Sequence, residues 1–70
     1  MTWKETIQRI KNDGIHVWYS SRENWCYMTA KTGERILIQA HYPPETINAA
    51  INKINYLNSP LWRKRKNKQP

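Results

Sequence analysis

The sequence predicts a small α+β domain: a three-stranded antiparallel sheet flanked by an N-terminal and a C-terminal helix in the order α-β-β-β-α, followed by a basic disordered C-terminal tail. Three observations carry this reading. A capping-box tetrapeptide precedes an apolar stripe at helical spacing, the period changes to two between residues 15 and 42, and an isoleucine stripe at helical spacing follows Pro43-Pro44.

In Thr2-Trp3-Lys4-Glu5 the spacing is that of a capping box, in which the Thr2 hydroxyl accepts from the Glu5 amide and the Glu5 carboxylate from the Thr2 amide. Trp3, Ile7 and Ile10 then recur at i, i+4, i+7. Asn12-Asp13-Gly14 supplies a stop, with Gly14 able to turn left-handed. The first helix is therefore expected over residues 3 to 13.

Ile15, Val17 and Tyr19 next alternate with His16, Trp18 and Ser20, as a half-buried strand requires. A polar loop over residues 20 to 24 leads to a second strand beginning at Trp25, and residues 35 to 41 read as a third. Between the last two, Ala30-Lys31-Thr32-Gly33-Glu34 fits a three-residue hairpin loop with Gly33 at its left-handed position. That register sets Met28 opposite Ile36. It places Cys26, Met28, Ala30, Ile36 and Ile38 on a core face, and Trp25, Tyr27, Thr29, Arg35, Leu37 and Gln39 on the other, joined by Trp18 and His16.

Proline is tolerated in a first helical turn and Glu45 favours the positive end of the helix dipole, so Pro43-Pro44 starts the second helix. Ile47, Ile51, Ile54 and Leu57 form its apolar stripe. Ser59-Pro60 ends it, because a residue before proline resists the α region. Residues 61–70 lack any amphipathic period and are expected to be mobile apart from Leu61 and Trp62, which can fold back on the domain.

Seventy residues hold one core, here residues 1–60, and large apolar groups (four Trp, four Tyr, eight Ile) help so small a fold. A core of this size contributes about 3 to 5 kcal/mol. A single cysteine, Cys26, excludes an internal disulfide and reads as a small buried apolar residue. Neither a signal-peptide pattern nor an apolar run of membrane-spanning length is present, so a cytoplasmic location is expected.

The formal charge of +7 is unevenly spread. Residues 61–70 carry five of the twelve Lys and Arg (Arg63, Lys64, Arg65, Lys66, Lys68) and no acid. Five cations that cannot neutralise one another condense on phosphate, and if all reach a duplex the salt slope approaches about −4.5. The alternative is a solubilising tail with no specific contact. A membrane role is not expected, since neither helix has an apolar face wider than the core consumes.

An antiparallel sheet covered on one side normally turns a polar face to water. This one shows Trp18, Trp25, Tyr27 and Leu37 among Arg22, Arg35 and Gln39, groups that stack on bases or contact phosphates. The other explanation is that the tail, Trp62 or a second subunit covers the face. On the second helix, Asn48, Asn52 and Asn55 at i, i+4, i+7 offer amides of the kind that pair with adenine. Seven Asn, eight Ile and seven Lys equally fit an AT-rich coding sequence.

Arg22, Trp25, the Gly33-Glu34-Arg35 hairpin and Pro44-Glu45-Thr46 followed by Ala49-Ala50 give the stretch from residue 22 to 54 a loose resemblance to plant ethylene-response-factor DNA-binding domains and to arm-binding domains of tyrosine integrases. The resemblance implies that the uncovered sheet face lies in a DNA major groove, with contacts from Arg22, Trp25, Tyr27, Arg35 and Gln39. The strands carry fewer arginines than that family's. The complete element order also resembles HicA-type toxins and double-stranded-RNA-binding modules, with Asp13-Gly14 and the helix from Pro44 to Ile54 in the matching places. The strand-two histidine of those toxins has no counterpart near Trp25, and the lysine cluster of the RNA binders is missing, so this resemblance implies topology alone.

His16 and His41 are the one pair that could supply an acid and a base, and no carboxylate, phosphate loop or metal-ligand set accompanies them. No catalytic residue, cofactor or metal is therefore expected. The sequence points to a non-enzymatic DNA- or RNA-binding protein, a small regulator or accessory factor. Its contacts are Trp18, Arg22, Trp25, Tyr27, Arg35 and Gln39 together with the tail cations. The second expectation is a protein-interaction module, a small inhibitor or assembly factor that docks its aromatic face on a protein partner or its own copy.

Overall fold

The computed structural model describes residues 2–20 and 22–59. Leu61, Trp62 and the five tail cations Arg63, Lys64, Arg65, Lys66 and Lys68 lie outside the described residues. The order is α1 (Trp3–Asn12), β1 (His16–Ser20), β2 (Trp25–Thr29), β3 (Arg35–Gln39) and α2 (Pro44–Asn58), with the strands in an antiparallel meander β1-β2-β3.

Both ends of α1 are closed by the groups that the sequence supplies. The Thr2 amide donates to Glu5 Oε1 at 2.7 Å and the Glu5 amide to Thr2 Oγ1 at 3.2 Å, completing the capping box. At the other end Gly14 takes φ 76°, its amide donates to the Lys11 carbonyl at 3.0 Å, and the Ile15 amide reaches back to the Ile10 carbonyl at 3.2 Å. This pair of bonds is a Schellman closure. Its customary apolar contact is supplied by Ile10 and Ile15, both buried.

The β2–β3 turn has the geometry expected of a three-residue loop. Gly33 sits at φ 94°, its amide donates to the Ala30 carbonyl at 2.9 Å, and the Ala30 amide donates to the Glu34 carbonyl at 2.8 Å. Met28 consequently opposes Ile36, and Cys26 opposes Ile38. In the β1–β2 loop Asn24 adopts a left-handed φ of 59°, which asparagine tolerates.

The third strand is shorter than its alternation implies, ending at Gln39. The Ala40 amide donates to the Asn24 carbonyl at 2.8 Å, one rung beyond the Trp25–Gln39 pair, and the Tyr42 amide then turns back to the Gln39 carbonyl at 3.1 Å, which bends the chain off the sheet. His41 therefore lies in a turn, its ring edge-on to Tyr42 at 5.0 Å. His16 stays in β1, so the two histidines do not share a sheet face.

Both helices cover one side of the sheet, α1 over β1 and α2 over β2 and β3. Ile10, Cys26, Met28, Ile38, Ile51 and Ile54 are fully enclosed between them, with Ile7, Ile15, Ala30 and Ile47 also buried. Thr6 is buried as well, its hydroxyl satisfied by the Thr2 carbonyl at 3.2 Å. The helices are also tied to each other and to the hairpin through asparagines. Arg9 donates to Asn48 Oδ1, Asn55 Nδ2 donates to Asp13 Oδ2 at 3.0 Å, and the Lys31 amide donates to Asn58 Oδ1 at 2.7 Å. Two of the three amides on the Asn48, Asn52, Asn55 flank are thus engaged within the fold.

Candidate nucleic-acid interface

The strand registers turn the uncovered face into a grid of three rows. His16, Thr29 and Arg35 stand abreast across the three strands, then Trp18, Tyr27 and Leu37, then Ser20, Trp25 and Gln39. Tyr27 occupies the centre. Neighbours within a row are about 4.8 Å apart and successive rows about 7 Å apart, from strand spacing and rise.

Among the described residues no helix covers this side. Trp18 is 67% exposed and Leu37 45%, values far above those of the core face, while Trp25, Tyr27 and Gln39 are half-buried. The Trp25 and Tyr27 rings meet edge to face, with centroids 5.3 Å apart and planes inclined by 62°. Two shallow hollows result, one on each side of Tyr27. Trp25, Tyr27, Leu37 and Gln39 line the first, and His16, Trp18, Tyr27, Thr29 and Arg35 line the second.

None of the nine grid positions holds an acid. Glu34, the residue beside Arg35, instead faces α2, where its carboxylate lies 3.5 Å from Lys53 Nζ. Arg35 is exposed and has no ion-pair partner among the described residues. At the opposite edge, Glu23 accepts from Trp25 Nε1 at 3.4 Å, placing one carboxylate beside the middle of the third row. Charge on this face therefore runs from cationic at the Arg35 row to no net charge at the Trp25 edge, where Glu23 is next in sequence to the exposed Arg22.

Five of the six sheet residues singled out from sequence, Trp18, Trp25, Tyr27, Arg35 and Gln39, are gathered on this face. Arg22 is not among them; it is exposed in the β1–β2 loop, beyond the Ser20–Trp25 row. His16 and Thr29 line the second hollow, a role that their residue types do not announce. Their period-two offsets from Trp18 and Tyr27 are the signal that places them there. Ser20 completes the third row for the same reason.

The other chemistry-bearing groups are elsewhere. Burial pushes the Cys26 thiol up to about 11, so it is no nucleophile at neutral pH. Lys11 is held by Tyr19, its Nζ 3.1 Å from the phenol oxygen and 4.8 Å from the ring centroid. Among the described residues no group of three or more His, Cys, Asp or Glu is arranged to hold a metal ion, and no helix is long and apolar enough to cross a membrane. The chain matches no family model, no curated protein and no solved structure.

Proposed function

We propose that this chain is a non-enzymatic nucleic-acid-binding module, a small regulator or accessory factor that presents its open sheet face to bases and uses its cationic tail for phosphate. The observation that carries the reading is the uncovered, acid-free grid centred on Tyr27, with Trp18 largely exposed and Arg35 unpaired among the described residues. Aromatic faces stack on any base, and one cation beside them fixes a phosphate. The five cations of residues 61–70 would add affinity without sequence preference.

Division of labour between face and tail makes the reading testable on the full-length chain. Replacing Arg63, Lys64, Arg65, Lys66 and Lys68 by Gln should lower the salt slope of oligonucleotide binding by several units. Arg35→Ala should weaken binding while changing that slope by about one. An unaltered slope in the tail variant would refute the role given to the tail.

A protein-docking role for the same face has one observation in its favour: Leu37, an aliphatic side chain with no use in stacking, is 45% exposed in the central row. In its homodimeric form that reading requires the sedimentation coefficient to rise with concentration, and a strict monomer would eliminate it.

A further inference from the structure

We infer that the sheet face takes two adjacent unstacked nucleotides of a single strand, one base in each hollow, and not a duplex. The inference rests on the nucleic-acid reading above and specifies the form of its ligand.

Duplex DNA or RNA shows a protein its base edges, framed by two phosphate backbones, so a sheet docked in a groove needs cations along both flanks. This grid has its fixed positive charge at one corner only, at Arg35. Along the opposite row stand Ser20, Trp25 and Gln39, with the Glu23 carboxylate bonded to the Trp25 indole. A second backbone would meet that carboxylate together with its exposed neighbour Arg22, an edge of no net charge, and no cation on the grid itself. A single strand has one backbone, which can run past Arg35 and leave the far row to bases.

The ring geometry points the same way. With their planes 62° apart, Trp25 and Tyr27 do not form one flat shelf. Bases of a flexible strand can tilt independently to meet each ring, whereas bases locked in a duplex stack expose no face at all. Each hollow also joins ring surface to hydrogen-bonding groups: Trp25 with Gln39 in the first, Trp18 with Thr29 in the second. The row spacing of about 7 Å lies within the reach of one nucleotide in an unstacked strand, so neighbouring bases can fill the two hollows together.

The test is a fluorescence-anisotropy titration of the full chain with labelled octanucleotides: oligo(dT), oligo(rU), and a hairpin duplex containing eight base pairs, at low and at physiological salt. Trp18→Ala and Trp25→Ala are run beside the wild type, with circular dichroism confirming that each is folded. Removal of one stacking ring should weaken single-strand binding by about 5- to 150-fold and leave duplex binding unchanged. The wild type should prefer at least one single strand to the duplex by tenfold or more. Equal or tighter duplex binding that falls in the Trp variants would overturn the single-strand inference while keeping the nucleic-acid reading. Single-strand binding indifferent to both substitutions would overturn the inference and leave the tail as the whole interaction. No binding of any oligonucleotide at low salt would overturn both.

Discussion

Trp18 stands directly across the β1–β2 ladder from Tyr27, yet two thirds of its surface remains in contact with solvent. A cross-strand pair of this kind contributes a few tenths of a kcal/mol at most when one ring is so exposed. Trp18→Ala should therefore shift unfolding free energy by no more than about 0.5 kcal/mol. Met28→Ala, in the same sheet but fully enclosed, should cost about 2 to 5 kcal/mol. Urea denaturation of both variants separates them, and a large loss in Trp18→Ala would show that the ring is structural.

The bulged hairpin makes a sharper demand on one backbone position. A Cβ at Gly33 would meet nothing within 4 Å, so any cost of Gly33→Ala comes from the φ of 94° alone. That cost is about 1 to 2 kcal/mol, and Gly33→Asn should recover part of it. Equal stability of the Ala variant and wild type would contradict the turn geometry, and with it the assignment of the two sheet faces.

Helix-to-helix bonding through asparagine predicts a coupling. Arg9 and Asn48 share a part-buried hydrogen bond to a charged donor. A double-mutant cycle of Arg9→Ala and Asn48→Ala should give an interaction of about 1 kcal/mol or more, with oligonucleotide affinity unaffected by Asn48→Ala. Additive losses would remove the bond, and lost binding would return Asn48 to a recognition role.

The capping box, the Asn12-Asp13-Gly14 stop, the Gly33 bulge and the Pro43-Pro44 start are legible in the amino-acid sequence because each is local chemistry, set by residues within a few positions of one another. The end of β3 has the opposite origin: alternation continues through His41, but β2 begins only at Trp25, after the left-handed Asn24, and beyond the last rung from Ala40 to the Asn24 carbonyl the Tyr42 amide turns back onto Gln39. Likewise Asn48 and Asn55 look like a display flank until α1 brings Arg9 and Asp13 against them. The face residues are readable from period two; the partition of that face into two hollows depends on the Trp25–Tyr27 ring angle, which no pattern encodes.

Two titrations follow from the environments of single groups. The Thr2 backbone amide, and after it the Thr2 hydroxyl, hold Glu5 below the usual carboxylate value of 4.5. A depressed folded-state value means stability present above the unfolded value and lost as pH falls through the folded one. The stability gap between wild type and Glu5→Gln, measured at pH 6, should hence change progressively towards pH 3. A gap independent of pH would mean that the capping box does not hold the ionised carboxylate.

Cys26 titrates in the opposite window. Its folded-state value is raised by burial from 9.0 to about 11, so stability is fully present below pH 9 and declines as pH rises towards 11. Cys26→Ala should lack that part of the alkaline loss. In the wild type a thiol reagent at neutral pH should label Cys26 only as fast as the domain opens, with complete labelling in guanidinium; rapid labelling of the folded protein would place Cys26 outside the core.

The most direct test of the sheet-face assignment is a two-dimensional 1H–15N spectrum of the labelled full chain during titration with a single-stranded octanucleotide. The indole cross-peaks of Trp18 and Trp25 and the amides of β2 should move together and saturate at one stoichiometry. Trp3, on the helix side against the core, serves as the internal reference and should stay in place. Shifts confined to residues 61–70, or none at all, would contradict the assignment of the open sheet face as the nucleic-acid interface.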